Sequence, residues 1–201
     1  MKTIKSILFD IGNVILFFDN HRVSKTIAEI TKQSEDKIFK FIFGLYAETE
    51  IDLGKTSSEE FLQRVKSKLN LKIDLENLKF IFSDIFTENK KMTSLIKTLK
   101  GKVPLLGITN TNESHFEFIK KNFPILKLLD RIIPSYEIGV KKPSAGIYFE
   151  ALKYVKARPE ECLFIDDQEK NIIPAYQLGF KTHLYRTHEN LVNLLYRLEI
   201  L

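Results

Sequence analysis

The chain has 201 residues, 44% of them hydrophobic, and a formal net charge of +5. This length suffices for one hydrophobic core with a smaller inserted unit, and the apolar content excludes a largely disordered chain. The lysines and arginines are spread along the sequence rather than concentrated in one block, which argues against a nucleic-acid-binding groove. A single cysteine excludes a disulfide framework within the chain.

The hydrophobic segments also bear on where the protein works. Residues 1–6 run directly into an apolar stretch without a signal-peptide pattern, and no segment has the length of uninterrupted apolar sequence that a bilayer requires. We therefore expect no membrane partner, no nucleic-acid partner and a cytoplasmic location. The sequence does not determine the oligomeric state.

The first predicted element is the apolar run Ser6-Ile-Leu-Phe9, which stops at Asp10 and is followed by Gly12. A short apolar run bounded by a turn signal predicts a buried parallel strand, and open α/β sheets bind ligands at the carboxyl ends of such strands. Asp10 is then a nucleophile or a metal ligand in a crevice, unless it only caps the turn. Residues 15–20 can extend as a short hairpin.

A helical block follows. Residues 22–86 show apolar side chains at three- and four-residue steps, as one buried helical face requires, and no convincing strand. We assign residues 1–18 and 87–201 to a core domain and residues 19–86 to a helical cap subdomain.

Strands and helices alternate from Asn89 onward. The predicted strands are 103–109, 131–135, 162–165 and 181–185. The predicted helices are 92–99, 116–123, 144–155, 171–178 and one that begins at Glu189. This alternation predicts an α/β fold with a doubly wound, mainly parallel sheet.

Three polar groups follow these predicted strands. Thr109 and Asn110 offer a hydroxyl, an amide and backbone N–H groups that suit phosphoryl oxygens, although such turns are also common without a ligand. Lys142 precedes a predicted helix and would balance anionic charge. The adjacent carboxylates of Asp166 and Asp167 repel each other, so a hard divalent ion such as Mg²⁺ is their natural partner, unless they only cap a helix or lie in a solvated loop.

Together, these motifs resemble those of the haloacid dehalogenase-like hydrolase superfamily along essentially the whole chain. The motifs are Phe9-Asp10-Ile-Gly-Asn-Val14, Gly107-Ile-Thr109-Asn110, Gly139-Val-Lys-Lys142-Pro143 and Phe164-Ile-Asp166-Asp167. The resemblance implies a Rossmann-like core with a small helical cap inserted after the first strand. Within the superfamily, the chain looks similar to the branch that includes bacterial glucose-1-phosphate phosphatases.

The resemblance implies a Mg²⁺-dependent phosphatase that acts on a small phosphorylated metabolite, expected to be a sugar phosphate. It implies that Asp10 is the catalytic nucleophile, forms an aspartyl phosphate, and binds the metal together with the Gly12 carbonyl and Asp167. Asp166 is expected to belong to this metal shell or to lie behind it.

The same resemblance gives roles to three residues around the phosphoryl group. Thr109 and Asn110 are expected to hold it, and Lys142 is expected to bind it and to neutralise its charge during catalysis. Phosphoryl transfer depends more on in-line positioning and charge neutralisation than on covalent chemistry, so this set meets its physical requirements.

One residue departs from the family pattern. Most phosphatases of the superfamily carry a second aspartate two positions after the nucleophile, where it protonates the leaving group, but this chain has Gly12 there. General acid-base catalysis is typically worth about 10²–10⁴-fold, so we expect slow turnover, a substitute residue, or leaving groups that need little protonation, as in an anomeric sugar phosphate or an acyl phosphate. Asp19 and His21 are candidate substitutes, although both also fit as ordinary loop residues.

The predicted cap has an expected role as a lid. It would close over the site, exclude water and select the substrate. Arg22, Phe43 and Tyr46 are candidates for substrate contact, although the helical pattern also fits Phe43 and Tyr46 as core residues.

Two other functions stay open from the sequence. A haloacid dehalogenase-type hydrolase also lacks the second aspartate, attacks carbon and needs no metal, whereas Asp166 and Asp167 are costly together without one. A catalytically weak phosphate-binding module would keep the fold and lose turnover because of Gly12.

Overall fold

The computed structural model describes residues 3–201. Its strands are β1 (Ser6–Phe9), β2 (Leu16–Phe18), β3 (Phe86–Glu88), β4 (Leu105–Thr109), β5 (Arg131–Pro134), β6 (Cys162–Asp166) and β7 (Lys181–Leu184). Its α-helices are α1 (His21–Thr31), α2 (Glu35–Thr49), α3 (Ser58–Lys68), α4 (Leu75–Ser83), α5 (Lys90–Leu99), α6 (Glu113–Asn122), α7 (Ser135–Ile138), α8 (Ala145–Leu152), α9 (Glu169–Gln177) and α10 (His188–Arg197). Within this described range, every helix is too short or too polar to cross a membrane.

The centre of the molecule is a five-stranded parallel sheet in the order β5-β4-β1-β6-β7. The central strand is β1, in which Phe9 lies opposite Gly107 of β4 and Ile165 of β6. Because successive side chains of a strand point to opposite faces, Ile7 and Phe9 pack on one side of the sheet and Leu8 on the other. This sheet confirms the predicted doubly wound α/β fold.

Helices cover both faces of the sheet. On one face, Met92 of α5, Phe116 of α6 and Leu191 of α10 belong to the same buried cluster as the sheet residues. On the other face, Ile147 of α8 and Ala175 of α9 belong to the second cluster. Burial on both faces explains why the strands are nearly continuous apolar runs in the sequence.

Helices α1 to α4 have a hydrophobic cluster of their own. Its buried members are Val23, Ile27, Ile38, Ile42, Ile51, Phe61, Leu62, Val65, Leu71, Leu78, Phe82 and Ile85. The assignment of residues 19–86 to a cap subdomain remains a prediction, and this separate cluster supports it.

The prediction that residues 22–86 contain no strand is wrong at their end. Phe86–Glu88 forms β3, which pairs with β2 in an antiparallel ribbon that places Phe18 opposite Phe86. The partner of β2 is therefore a distant segment rather than a neighbour in a local hairpin. Periodicity does not reveal this pairing because a three-residue strand is too short to show a period. The ribbon joins the two connections between the sheet and helices α1 to α4.

Candidate active site

The carboxyl ends of β1, β4 and β6 bring the predicted site residues together. Asp10 follows β1, Thr109 ends β4 and Asp166 ends β6. Because β1 pairs in parallel with both neighbours, these positions share one edge of the sheet. Lys142 reaches the same edge from the loop before α8, and its Nζ lies 2.8 Å from Asp10 Oδ1 and 2.8 Å from Asp166 Oδ2.

Lys142 is buried and firmly held. Its Nζ also donates to the Ile108 carbonyl at 3.1 Å, and the Asn110 side chain accepts from the Lys142 backbone N–H at 2.8 Å and donates to its carbonyl at 2.9 Å. Burial alone would lower the pKa of Lys142, but the carboxylates of Asp10 and Asp166 more than offset that effect and raise it above its usual value. Lys142 therefore remains a cation, and the Asn110 side chain positions it.

Asp166 is fully buried, and both of its carboxylate oxygens accept hydrogen bonds. In addition to Lys142, its donors are the Gln168 backbone N–H at 2.8 Å and the Asn171 amide at 3.0 and 3.1 Å. A carboxylate occupied in this way orients Lys142 and has little capacity left for another ligand. These contacts favour the expectation that Asp166 lies behind a metal shell.

Asp167 differs from its neighbour in its hydrogen bonds. Its Oδ2 accepts from the Asn13 amide at 3.2 Å. Its Oδ1 is buried and has no hydrogen-bond partner within residues 3–201. A buried oxygen without a partner is costly, so this atom needs a ligand.

The carboxylates of Asp10, Asp166 and Asp167 fit a hard divalent cation. Each presents an oxygen, and these oxygens lie within 4.8 Å of one another. Lys142 supplies one ammonium group beside three carboxyl groups. Burial raises the pKa of Asp10 to about 7 against the lowering effect of Lys142, and burial also raises the pKa of Asp167. An all-oxygen donor set with excess negative charge and the unpartnered Asp167 Oδ1 suits Mg²⁺.

A cavity of about 270 Å³ adjoins this edge of the sheet. Its lining comes from the core, the β2–β3 ribbon, α2 and segments that flank helices α1 to α4. These residues are Ile11, Gly12, Phe18, Asn20, Phe43, Tyr46, Asp52, Ile85, Phe86, Thr109, Asn110, Thr111, His115, Ile119, Gln168 and Lys170. A larger cavity of about 720 Å³ is lined only by α2 and α3 and includes none of the predicted site residues. The smaller cavity is therefore the candidate substrate site.

Phe18 occupies the space beside Gly12. A Cβ atom on Gly12 would lie 3.0 Å from Phe18 Cε1, so an acidic side chain at this position would displace the ring. The candidate substitutes, Asp19 and His21, are not among the residues that line the cavity. Asp19 accepts from the His21 backbone N–H at 2.9 Å, and His21 Nδ1 lies 2.8 Å from Glu35 at the surface.

Two of the three candidate substrate-contact residues lie at the cavity, and the third does not. Phe43 and Tyr46 line the cavity. The Tyr46 hydroxyl accepts from the Asn112 amide at 3.3 Å, which links α2 to the loop after β4. Arg22 lies 3.2 Å from Asp84 at the surface and does not line the cavity.

The sequence motifs assign no role to Asn13, Phe18 or Asp52. Asn13 has a left-handed φ of 55°, which asparagine tolerates better than most residues, and this conformation accompanies its contact with Asp167. An asparagine after glycine in a turn is a local signal that could have indicated Asn13. Phe18 and Asp52 reach the site only through tertiary packing, so no short motif marks them.

Comparison with known proteins identifies the family. A model of the haloacid dehalogenase-like hydrolases matches residues 4–179. The chain belongs to this family. One relative, the D-ribitol-5-phosphate phosphatase of Bacteroides thetaiotaomicron, is 26% identical over 186 residues, and the match covers 89% of this chain and 90% of the relative. The predicted family is confirmed, as is the prediction of a phosphatase-type hydrolase.

Solved structures of other haloacid dehalogenase-like proteins share this fold. The magnesium complex of a family enzyme from Bacteroides thetaiotaomicron has a TM-score of 0.82 at 24% identity and covers 96% of this chain and 98% of its own. A hydrolase of the family from Porphyromonas gingivalis has a TM-score of 0.79 at 22% identity, with 98% of both chains covered. At these identities, the likeness shows the fold alone.

Proposed function

We propose that this hydrolase is a Mg²⁺-dependent phosphatase that acts on a small phosphomonoester, with Asp10 as the nucleophile. The observation that carries the proposal is the group formed by Asp10, Lys142 and Asp167 at one sheet edge. There, a buried carboxylate lies against a buried cation, and the third residue presents an unpartnered oxygen. The phosphatase relative supports the same reaction class.

Asp10 and Asp167, with the Gly12 carbonyl, would hold the metal, and Asp166 would support it from behind. When bound, Mg²⁺ neutralises phosphoryl charge and orients the phosphoryl group. Lys142 adds a second positive charge beside the nucleophile, since its Nζ already lies 2.8 Å from Asp10 Oδ1.

The phosphoryl group meets the end of β4. The Thr109 hydroxyl is at the cavity wall and can donate to a phosphoryl oxygen. Asn110 acts by fixing the backbone of Lys142, with its own backbone N–H as a further donor. Asp10 then attacks phosphorus, the bond to the leaving oxygen breaks, and water hydrolyses the aspartyl phosphate.

The proposed substrate is a sugar or sugar-alcohol phosphate. The cavity volume of about 270 Å³ restricts the substrate to a small metabolite. The name of the Bacteroides thetaiotaomicron relative, a D-ribitol-5-phosphate phosphatase, supports a polyhydroxy leaving group. The similarity to glucose-1-phosphate phosphatases remains a prediction.

The charge of the site disfavours the dehalogenase alternative. Attack on carbon needs no cation, yet three carboxylate groups meet one ammonium group here, and Asp167 Oδ1 is unpartnered. A binding module with no turnover would have the same metal and phosphate contacts. A measurement of turnover, rather than of binding, therefore distinguishes the binding module from the proposed phosphatase.

The test is hydrolysis of p-nitrophenyl phosphate by the purified protein. We expect turnover with Mg²⁺, none after EDTA treatment, and at least about a 10³-fold loss in Asp10→Asn, because the variant lacks the nucleophile. Glu48→Gln, an exposed change on α2, is the matched control and should retain activity. Unchanged turnover in Asp10→Asn would contradict the proposal. A folded protein without any turnover would favour the dehalogenase or the binding module.

A further inference from the structure

Part of the cavity lining comes from residues other than the proposed metal and phosphoryl ligands. We call it the leaving-group chamber and define it by Phe18, Phe43, Tyr46, Asp52 and Phe86, all of which line the cavity. Four of these side chains are aromatic, and they offer flat surfaces to the carbon skeleton of a substrate. The fifth is a carboxylate.

The Asp52 carboxylate is held in place by the core. Its side chain is only 14% exposed, and Oδ2 lies 2.9 Å from Lys141 Nζ. The Ser135 hydroxyl donates to the Asp52 carbonyl at 2.6 Å. Two residues later, Gly54 has a φ of 68°, and a Cβ there would lie 2.4 Å from the Tyr136 carbonyl oxygen. This close packing fixes the turn that carries Asp52 against α7.

Asp52 and Tyr46 face the same space. Burial is the largest cause of the raised pKa of Tyr46, and the charge of Asp52 adds to it, which indicates that the two groups lie near each other. The Tyr46 hydroxyl accepts from Asn112, so its own hydrogen remains available for a second acceptor. The chamber therefore combines a carboxylate acceptor with a hydroxyl donor.

The cation among the residues that line the cavity does not belong to the leaving-group chamber. Lys170 is an exposed residue of α9 on the core side, where solvent and salt screen its charge. Arg22 of the cap is paired with Asp84 outside the cavity. Of the cap residues that line the cavity, Asp52 is the charged one, and its charge is negative.

We infer that Asp52 determines specificity by selecting leaving groups that are neutral or cationic and carry hydroxyl or amino groups. A phosphomonoester of a polyol or an amino alcohol can donate hydrogen bonds to the carboxylate. A leaving group with a second phosphate or a carboxylate meets a like charge in a partly buried space, where repulsion is stronger than in water. This inference rests on the proposed phosphatase function.

The test compares pairs of phosphate esters whose leaving groups end either in a neutral CH₂OH group or in a carboxylate, and we call the first member of each pair the neutral ester. The pairs are glycerol 3-phosphate with 3-phosphoglycerate, and ribitol 5-phosphate with 5-phosphoribonate, and the readout is the ratio of kcat/KM within each pair. We expect the wild-type enzyme to favour the neutral ester by at least about tenfold, which is a lower bound for the repulsion between like charges a few ångströms apart at an intermediate dielectric constant. Asp52→Asn should reduce this preference about tenfold.

A second variant separates charge from structural damage. Lys141→Gln removes the partner of Asp52, so it should increase the preference for the neutral ester. Loss of structure alone would not move the two ratios in opposite directions. Glu48→Gln, on the same cap, should leave the ratio unchanged.

Hydrolysis of p-nitrophenyl phosphate shows whether the inference about Asp52 fails alone or together with the proposed phosphatase function. If this ester is hydrolysed and the Asp52→Asn ratio equals the wild-type ratio, the inference about Asp52 is overturned and the phosphatase function stands. If the wild-type enzyme prefers the anionic member of each pair, the inference is also overturned. If no ester is hydrolysed by the wild-type protein, the proposed function fails, and the inference fails with it.

Discussion

At the scale of single residues, the contact between Gly12 and Phe18 bears on how the leaving group would depart in the proposed reaction. The ring fills the space that a side chain at position 12 would need. We expect wild-type kcat/KM to fall steeply as the leaving group of an aryl or alkyl phosphate becomes more basic, because no acid protonates it. The double variant Gly12→Asp, Phe18→Ala should flatten this dependence and raise activity on alkyl phosphates about tenfold.

The matched control for that variant is Gly12→Asn, Phe18→Ala. It has the same shape but no acid, so its dependence on leaving-group basicity should stay as steep as in the wild-type enzyme. Equal slopes for the aspartate and asparagine variants would show that Gly12 is not the missing acid position. A shallow wild-type slope would mean that another residue supplies the proton.

The sequence motif predicts the location of Asn110 but not its hydrogen-bond partner. The sequence located it at the end of β4, next to the phosphoryl site, since parallel strands end at one edge. The structure adds that its side chain forms two hydrogen bonds with the backbone of Lys142, 32 residues away. Contacts between distant segments depend on the fold as a whole, so the spacing of residues within a motif does not contain them.

At the scale of elements, His115 of α6 connects the core to α4. Its Nε2 lies 3.0 Å from the Phe82 carbonyl oxygen, and its ring stacks on Phe82 with centroids 4.4 Å apart. Burial lowers the pKa of His115 to about 4, despite the hydrogen bond with Phe82, which acts in the opposite direction. A charged imidazole is therefore excluded from this junction near neutral pH.

This shift predicts a loss of stability in acid. The unfolded chain binds the proton near pH 6.5 and the folded chain only near pH 4, so the free energy of unfolding falls as the pH decreases from 6.5 to 4. Between pH 7 and pH 5, His115 should account for a decrease of about 2 kcal/mol. Urea unfolding of the wild-type protein and of His115→Gln at both pH values measures this contribution.

His21→Gln is the control for the pH experiment, because His21 is at the surface. Between pH 7 and pH 5, the decrease in His115→Gln should be about 2 kcal/mol smaller than the decrease in His21→Gln. The same decrease in all three proteins would contradict the assignment to His115. It would assign the acid sensitivity to other groups.

Strands and helices are predictable from the sequence where buried apolar side chains form a regular pattern along them. The runs at β1, β4 and β6 are apolar because both faces of the sheet are covered, and the faces of α1 to α4 repeat at helical steps. β3 was missed because its pairing with β2 depends on how the chain returns from α4. The turn at Asp52 was missed for the same reason, since its contacts with Ser135 and Lys141 join distant parts of the chain.

At the scale of the whole molecule, the excess of carboxylates would link folding to binding of the proposed metal. Three carboxylate groups converge at the sheet edge beside Lys142, so a divalent cation should stabilise the folded chain over the unfolded one. At about 100 times its dissociation constant, Mg²⁺ should add roughly 3 kcal/mol, which is roughly 5–10 °C in Tm for a chain of this size. Thermal unfolding with Mg²⁺ and with EDTA measures the shift.

Asp167→Asn should abolish most of this stabilisation, because it removes the charge of the unpartnered oxygen while keeping the shape of the side chain. Glu48→Gln removes an exposed carboxylate of α2 and should retain the wild-type shift. An equal shift in Asp167→Asn would place the cation outside the proposed site.

The measurement that tests the central claim most directly is mass spectrometry of the acid-quenched enzyme during turnover. With Mg²⁺ and p-nitrophenyl phosphate, we predict that the mass of one phosphoryl group appears on the peptide containing Asp10 and disappears when the substrate is exhausted. Asp10→Asn should show no such peptide. Turnover that leaves the Asp10 peptide unmodified, with the phosphoryl group on another residue, would contradict the assignment of Asp10 as the nucleophile.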